Sequence, residues 1–168
     1  MLRLILEQSE NTFITISGEI EILKLYLELE SLRFDEGFNY VIREETNEAD
    51  VLKISPMLIQ PFVENALWHG LRHKEGEKKL LITFTADARF IDVVIEDNGI
   101  GREAAKSFNH NRDIKKQSLG IKISEEQLQM IGTLSKEKTG FKTEDLFSKT
   151  GIAAGTRVTL HIPVLRKR

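Results

Sequence analysis

The chain has 168 residues, 40% of them hydrophobic and 30% charged, with a formal net charge of −2 and no cysteine. That balance fits one globular domain with a core of its own and carries no electrostatic signature for nucleic acid or a membrane surface; without cysteine there is no disulfide framework, zinc–thiolate site or thiol catalysis. No apolar run reaches the ~18 residues of a membrane span, and Met1–Glu7 turns acidic too soon for a signal peptide, so the chain as given reads as soluble, with Arg166-Lys167-Arg168 as a solvated basic end.

Between Ser17 and Phe34, Ile20, Leu23 and Leu27 together with Ile22, Leu25, Leu29 and Leu32 give more apolar surface than one stripe of a surface helix needs. This helix is expected to pack on two sides, against the domain and against a neighbouring domain or second chain, unless one chain buries it completely. Phe38, Tyr40 and Ile42 alternate with polar residues as a strand ending near Thr46, and Asn47–Asp50 is a loop.

Ser55–Gly70 is helix-sized. Ser55 can cap it, Pro56 suits its first position, and Gly70 can stop it. Leu58, Ile59, Phe62, Val63, Ala66 and Leu67 fall on one side, Asn65 and His69 on another. Pro61 predicts a kink or a restart. Taken alone, the stretch reads equally well as a core helix whose polar side meets water.

Leu80–Thr85 and Phe90–Ile95 are β-branched runs expected to form a hairpin. Arg102–Gln117 is a basic, weakly periodic connection of lid-like length. Helical periodicity returns over Ser118–Ile131, and strands follow at about Lys142–Phe147 and Thr156–Ile162. The fold expected is α+β: a two-layer α/β sandwich in which three main helices cover one face of a mixed sheet of about five strands.

Glu96-Asp-Asn-Gly-Ile-Gly101 ends the second hairpin strand. It reads as an Asn-Gly turn, as a dinucleotide fingerprint continuing to Ala104, or as a carboxylate beside permissive glycines. The third use suits an acceptor for an exocyclic amine such as that of adenine, with Asp97 in the role. Ser118-Leu-Gly-Ile-Lys122 is placed to open a helix and receive phosphate, with charge from Lys115, Lys116 and Lys122; no P-loop is present. His69 and His73 stand four apart without a third ligand, which favours solvated histidines over a metal pair. The amide oxygen of Asn65 is a hard ligand suited to a magnesium ion that otherwise holds water and phosphate.

In this order the pieces resemble the ATP-binding domain of sensor histidine kinases of the LytS/YehU type, in the GHKL (Bergerat) superfamily. Tyr26-Leu-Glu-Leu-Glu-Ser-Leu-Arg-Phe34 resembles that family's segment before the N box, and Pro56–Gly70 is similar to the N box itself. Asp97-Asn-Gly-Ile-Gly101 and Leu119-Gly-Ile-Lys122 resemble its two glycine boxes, and Gly155-Thr156 its terminal Gly-Thr. The resemblance implies a nucleotide site built from Asn65, His69, Asp97, Gly99, Gly101, Gly120, Lys122 and Thr156. Asn65 would hold magnesium, Asp97 would take adenine, and Gly120 would lie at the phosphates.

It also implies ATP and magnesium as cofactors and transfer of the γ-phosphate to a histidine on a separate helical dimerisation domain. Residues 1–35 would lead in from that domain and 36–168 would form the catalytic domain. A response regulator would act downstream, a homodimer could form through the N-terminal helix, and no nucleic acid is involved. The domain would be cytoplasmic in a protein anchored in the bacterial cell membrane. The phosphoaccepting segment is absent from the sequence, and none of its four histidines has that context. Trp68 stands where the family carries Lys or Arg, Ser118 replaces a glycine and Ile123 an Asn, which predicts weaker triphosphate binding. A non-catalytic nucleotide-binding or interaction module is the alternative. A GHKL ATPase is disfavoured because its glutamate base would fall at Pro61.

Overall fold

The computed structural model describes residues 13–34, 37–108 and 111–164. Residues 1–12, His110, the Arg166–Arg168 end, and the side chains of Lys115, Lys116 and Ser118 lie outside what is described. Five strands form the main sheet: β2 (Asn39–Glu45), β4 (Lys79–Ala86), β5 (Phe90–Asp97), β6 (Gly140–Phe147) and β7 (Ala153–Pro163), in the order β2-β4-β5-β7-β6. β4–β5, β5–β7 and β7–β6 are antiparallel, whereas β2 runs parallel to β4. Parallel neighbours need a crossover, and the chain between them supplies it as β3 (Lys53–Ile54), α2 (Gln60–Asn65) and a π-helical turn, Ala66–Leu71. β3 also pairs antiparallel with β1 (Ile14–Thr15) in a two-stranded sheet.

Alternation decides which face of the sheet is covered. Leu80, Ile82 and Phe84 of β4, Ile91, Val93 and Ile95 of β5, and Leu160 and Ile162 of β7 all point inward. They join one core with Ile20, Leu23 and Leu27 of α1 (Ile16–Ser31), with Phe62, Val63 and Leu67, and with Leu128 and Ile131 of α4 (Asn111–Ser135). The opposite face carries charged and polar pairs such as Glu96 with Arg157 and Asp92 with His161. The expected two-layer sandwich with its helices on one face is therefore what forms. Helix α1 meets the core on one side, while Leu29 and Leu32 remain exposed on the other.

Three local expectations fail for identifiable reasons. Ser55 and Pro56 do not begin the central helix: residues 56–59 are turns and bends, and α2 starts at Gln60 with Pro61 in its first turn. Pro61 sits where its missing N–H costs nothing, so it starts the helix instead of kinking it. The preceding turn passes through Met57 in the left-handed region, φ 58°. Its N–H donates to Oε2 of Glu19, 3.3 Å away on α1, and Ile59 N–H bonds the same carboxylate. Gly70 does not end the helix, because the π-helical turn carries on to Leu71. Finally, Arg102–Gln117 is not an irregular lid: α3 (Arg102–Phe108) and the first turns of α4 occupy it. The Ser118–Lys122 segment thereby becomes helix interior, where backbone N–H groups are used by the helix and do not form a phosphate-binding N-terminus.

Candidate functional site

Between the helices and the inner sheet face lies a cavity of about 500 Å³. Its floor is a ladder fixed by strand register. Ile95 and Val158 are partners across β5 and β7, with Thr143 next along on β6. Phe62 and Phe141 close the back, ring centroids 4.9 Å apart and edge to face. One row further toward the strand ends lie Asp97 and Thr156, again direct partners. Asn65, Ala66, His69 and Gly70 form the wall contributed by α2 and the π-helical turn, and Ile121, Lys122 and Glu125 the wall from α4. The wider turn, with Arg72 N–H reaching back to Leu67 O at 2.8 Å, carries the chain past Gly70 before the helix ends.

Asp97 is the chemical centre of this arrangement. The side chain ends β5, is only 5% exposed, and accepts Gly99 N–H at 2.8 Å as well as the N–H of Thr156. Burial pushes its pKa up to about 6, against the lowering effect of those two backbone donors. A carboxylate held this way has lone pairs left over for a ligand donor inside an otherwise apolar cavity. Neither neighbour of β5 is parallel to it, which disposes of the dinucleotide fingerprint reading.

Three glycines let the backbone close up around Asp97. A Cβ on Gly70 would lie 2.6 Å from Asp97 Oδ1, and one on Gly99 would lie 2.3 Å from the Gly70 backbone. Gly155, at φ +133°, would place a Cβ 1.9 Å from the Asp97 carbonyl oxygen. Gly70 O accepts Ile100 N–H at 3.1 Å, which locks the end of the N-box helix onto the glycine loop.

Of the eight residues expected at a nucleotide site, six line the cavity: Asn65, His69, Asp97, Gly101, Lys122 and Thr156. Gly99 serves it from behind, packed on Gly70. Gly120 lies inside α4, where a Cβ would be 3.4 Å from Pro61 Cβ, so it permits helix packing and does not face the cavity. Trp68 is also absent from the lining. It turns toward α1, bonds the Tyr26 hydroxyl and carries the Arg72 guanidinium 4.5 Å from its ring centroid. The missing N-box cation is thus exchanged for a contact between helices. Phe62, Phe141, Thr143, Arg102 and Glu125 were not foreseen as cavity residues. Their strands and helices were legible in part, but the register that brings them together leaves no mark in the sequence. Among the described residues no group of three or more His, Cys, Asp or Glu is arranged for a metal.

The layer order and this cavity define the fold of histidine kinase catalytic domains. Solved structures with the same fold include the mycobacterial sensor histidine kinase MprB, with a TM-score of 0.62 at 9% identity over 92% of this chain and 99% of that one. The catalytic domain of histidine kinase ThkA gives 0.60 at 15% identity over 91% and 97%. In sequence the chain is similar to the sensor protein LytS of Staphylococcus haemolyticus, 26% identical over 159 residues, which is 93% of this chain and 24% of that protein. The sensor histidine kinase/phosphatase LytS of Staphylococcus aureus strain Mu50 is 34% identical over 97 residues, 57% of this chain and 16% of that protein. No family model matches. The chain thus has the fold of histidine kinase catalytic domains and is similar in sequence to sensor histidine kinases of the LytS type, and it spans about a quarter or less of the length of the curated relatives it matches.

Proposed function

We propose that this domain binds Mg-ATP in the cavity and presents the γ-phosphate to a histidine on a separate helical domain of the same protein. The observation that carries the reading is the buried, partly hydrogen-bonded Asp97 at the end of an apolar cavity. Its free acceptor capacity matches the exocyclic amine of adenine, and Ile95, Val158 and Phe141 match the faces of the ring. Lys122 and His69, on the helical walls, stand nearer the sugar and phosphates in this reading.

Magnesium fits the donor set. Asn65 lines the cavity, and its amide oxygen is a hard ligand suited to an ion that keeps its waters and rides on phosphate oxygens. When bound, that ion neutralises charge on the transferring phosphoryl group. The chain's own part is positional. Asp97 and the apolar floor orient the base, Lys122 attracts the phosphates, and the accepting imidazole supplies the nucleophile, taking the γ-phosphoryl group as ADP leaves.

The glutamate base of the gyrase type has no counterpart at its position here. Pro61 occupies the position where the gyrase type carries glutamate, and Glu64 is not in the lining and accepts a bond from Gln60 at 2.9 Å. Within the whole protein we propose a cytoplasmic domain tethered to the bacterial membrane, a response regulator downstream, and self-association through α1. No helix among the described residues is long and apolar enough to cross a membrane.

A second reading, a nucleotide-binding module without transfer, is favoured by the helical state of residues 118–122. The longer protein that carries the helical domain separates the two. With γ-labelled ATP it should acquire acid-labile label on histidine, and Asn65→Ala should abolish both labelling and the magnesium dependence of ATP binding while adenosine still binds. Mg-ATP binding without any labelled histidine supports the second reading, and no calorimetric heat with Mg-ATP overturns both.

A further inference from the structure

Asp145 continues the polar row of the cavity floor. It is the register partner of Thr156, which is in turn the partner of Asp97, so the three side chains share one face of the sheet. Two strand spacings separate the two carboxylate residues, roughly 10 Å between their backbones. Arg102, the first residue of α3 and a cavity residue, reaches across to this row. Its Nε donates to Asp145 Oδ1 at 2.7 Å and its Nη2 to Oδ2 at 2.6 Å. This is the fork geometry that fixes a guanidinium plane as well as its position. The two side chains are 50% and 29% exposed, which puts the pair at the rim of the cavity.

Asp145 partly offsets the charge of Arg102 while keeping it protonated, and it takes two of the five guanidinium N–H groups. The fork fixes where the planar face points, and a guanidinium face stacks well on an aromatic ring. Lys122 and His69 approach the cavity from other walls.

Resting on the nucleotide reading above, we infer that Arg102 is a base-binding residue: its guanidinium plane packs on the adenine ring whose amino group Asp97 accepts, and Asp145 is the positioning residue that holds that plane. A purine anchored at Asp97 extends across Thr156 toward β6 and so comes under Arg102. Arg102 follows Gly101, whose φ of +80° turns the chain into α3 and aims the first side chain of the helix back over the cavity.

The test is calorimetric titration of the 168-residue chain with adenosine and with ADP, for wild type, Arg102→Ala, Arg102→Lys and Asp145→Asn, each first compared with wild type by thermal melting. The expected result is that both Arg102 variants lose about tenfold in affinity, equally for adenosine and ADP, because only the face of the base is involved. Asp145→Asn should lose a smaller, again equal, factor for the two ligands. Wild-type affinity in Arg102→Lys would mean that charge alone matters and overturns the assignment. A loss confined to ADP overturns it as well, since Arg102 would then serve the phosphates. Unchanged adenosine affinity in Arg102→Ala, with wild type binding normally, overturns the assignment alone. A wild-type chain that binds neither ligand overturns the nucleotide reading and the assignment with it.

Discussion

Lowering the pH from about 7.5 to about 5 should stabilise this domain, and the reason lies in two carboxylates. Glu19 and Asp97 are both buried, and burial is the largest influence on each, raising Glu19 from 4.5 to about 7 and Asp97 from 3.8 to about 6. Between each ordinary value and the raised one, the folded chain holds a proton that the unfolded chain has released. Stability from these groups therefore falls as the pH rises through that window, from about 4 to about 7, and is fully present only below it.

At about 1.4 kcal/mol per unit, complete ionisation costs about 3 kcal/mol at each site. Integrating over the stated change, Glu19 should return about 2 kcal/mol and Asp97 about 1.5, together about 4 kcal/mol. His73 works against this within the same window, because burial and the nearby Arg72 hold it below the ordinary histidine value and the unfolded chain takes up that proton first; Asp87 and Glu144, held below the ordinary range by their hydrogen bonds, oppose it only at more acid pH. Urea denaturation at half-unit steps of pH, for wild type, Glu19→Gln and Asp97→Asn, measures this directly. Each variant should lose its own share of the pH slope whatever its absolute stability. Wild-type stability that is flat or declines between about pH 7.5 and about pH 5, or an unaltered slope in both variants, would refute the reasoning.

Two further substitutions test the site's construction. Gly70→Ala puts a methyl group where Asp97 Oδ1 already stands; it should destabilise the domain by about 1–3 kcal/mol through overpacking and lower adenosine affinity, as chemical denaturation and calorimetry would show. Trp68→Lys introduces the cation that the resemblance to the N box implies at that position. Because Trp68 faces Tyr26 and not the cavity, it should leave Mg-ATP affinity within about a factor of two and cost about 1–2 kcal/mol from the lost hydrogen bond and cation–π contact. A large gain in affinity would mean that the side chain reaches the phosphates after all.

The layers of this fold were legible because β4 and β5 are apolar, β-branched runs separated by a short turn and the Ser55–Gly70 stretch repeats at helical spacing. Six of the eight residues that spacing and resemblance pointed to line the cavity, since each lies on an element whose type the pattern sets. What could not be read depends on contacts between distant segments. Ser55 and Pro56 carry an ordinary helix-start signal, but a carboxylate on α1 claims the N–H groups of Met57 and Ile59 and moves the start to Gln60. Gly70 carries an ordinary stop signal, yet its lack of a side chain serves Asp97, twenty-seven positions further on. The helices over Arg102–Phe108 and from Asn111 onward ran against weak periodicity, and Arg102 meets Asp145 only because β6 lies beside β7.

The contact between Gly70 and Gly99 has a consequence for how signals can travel. Two backbones meet there with no side chain between them and with a hydrogen bond from Ile100 to Gly70 alongside. Such a joint has no rotamer to change, so the Ala66–Leu71 turn and the glycine loop after β5 behave as one rigid block fixed to the sheet. Any influence that reaches the site from elsewhere in the protein has to act on the elements around that block. Helix α1 presses on its start through Glu19, and α4 forms its outer wall; the block itself is the part that holds still.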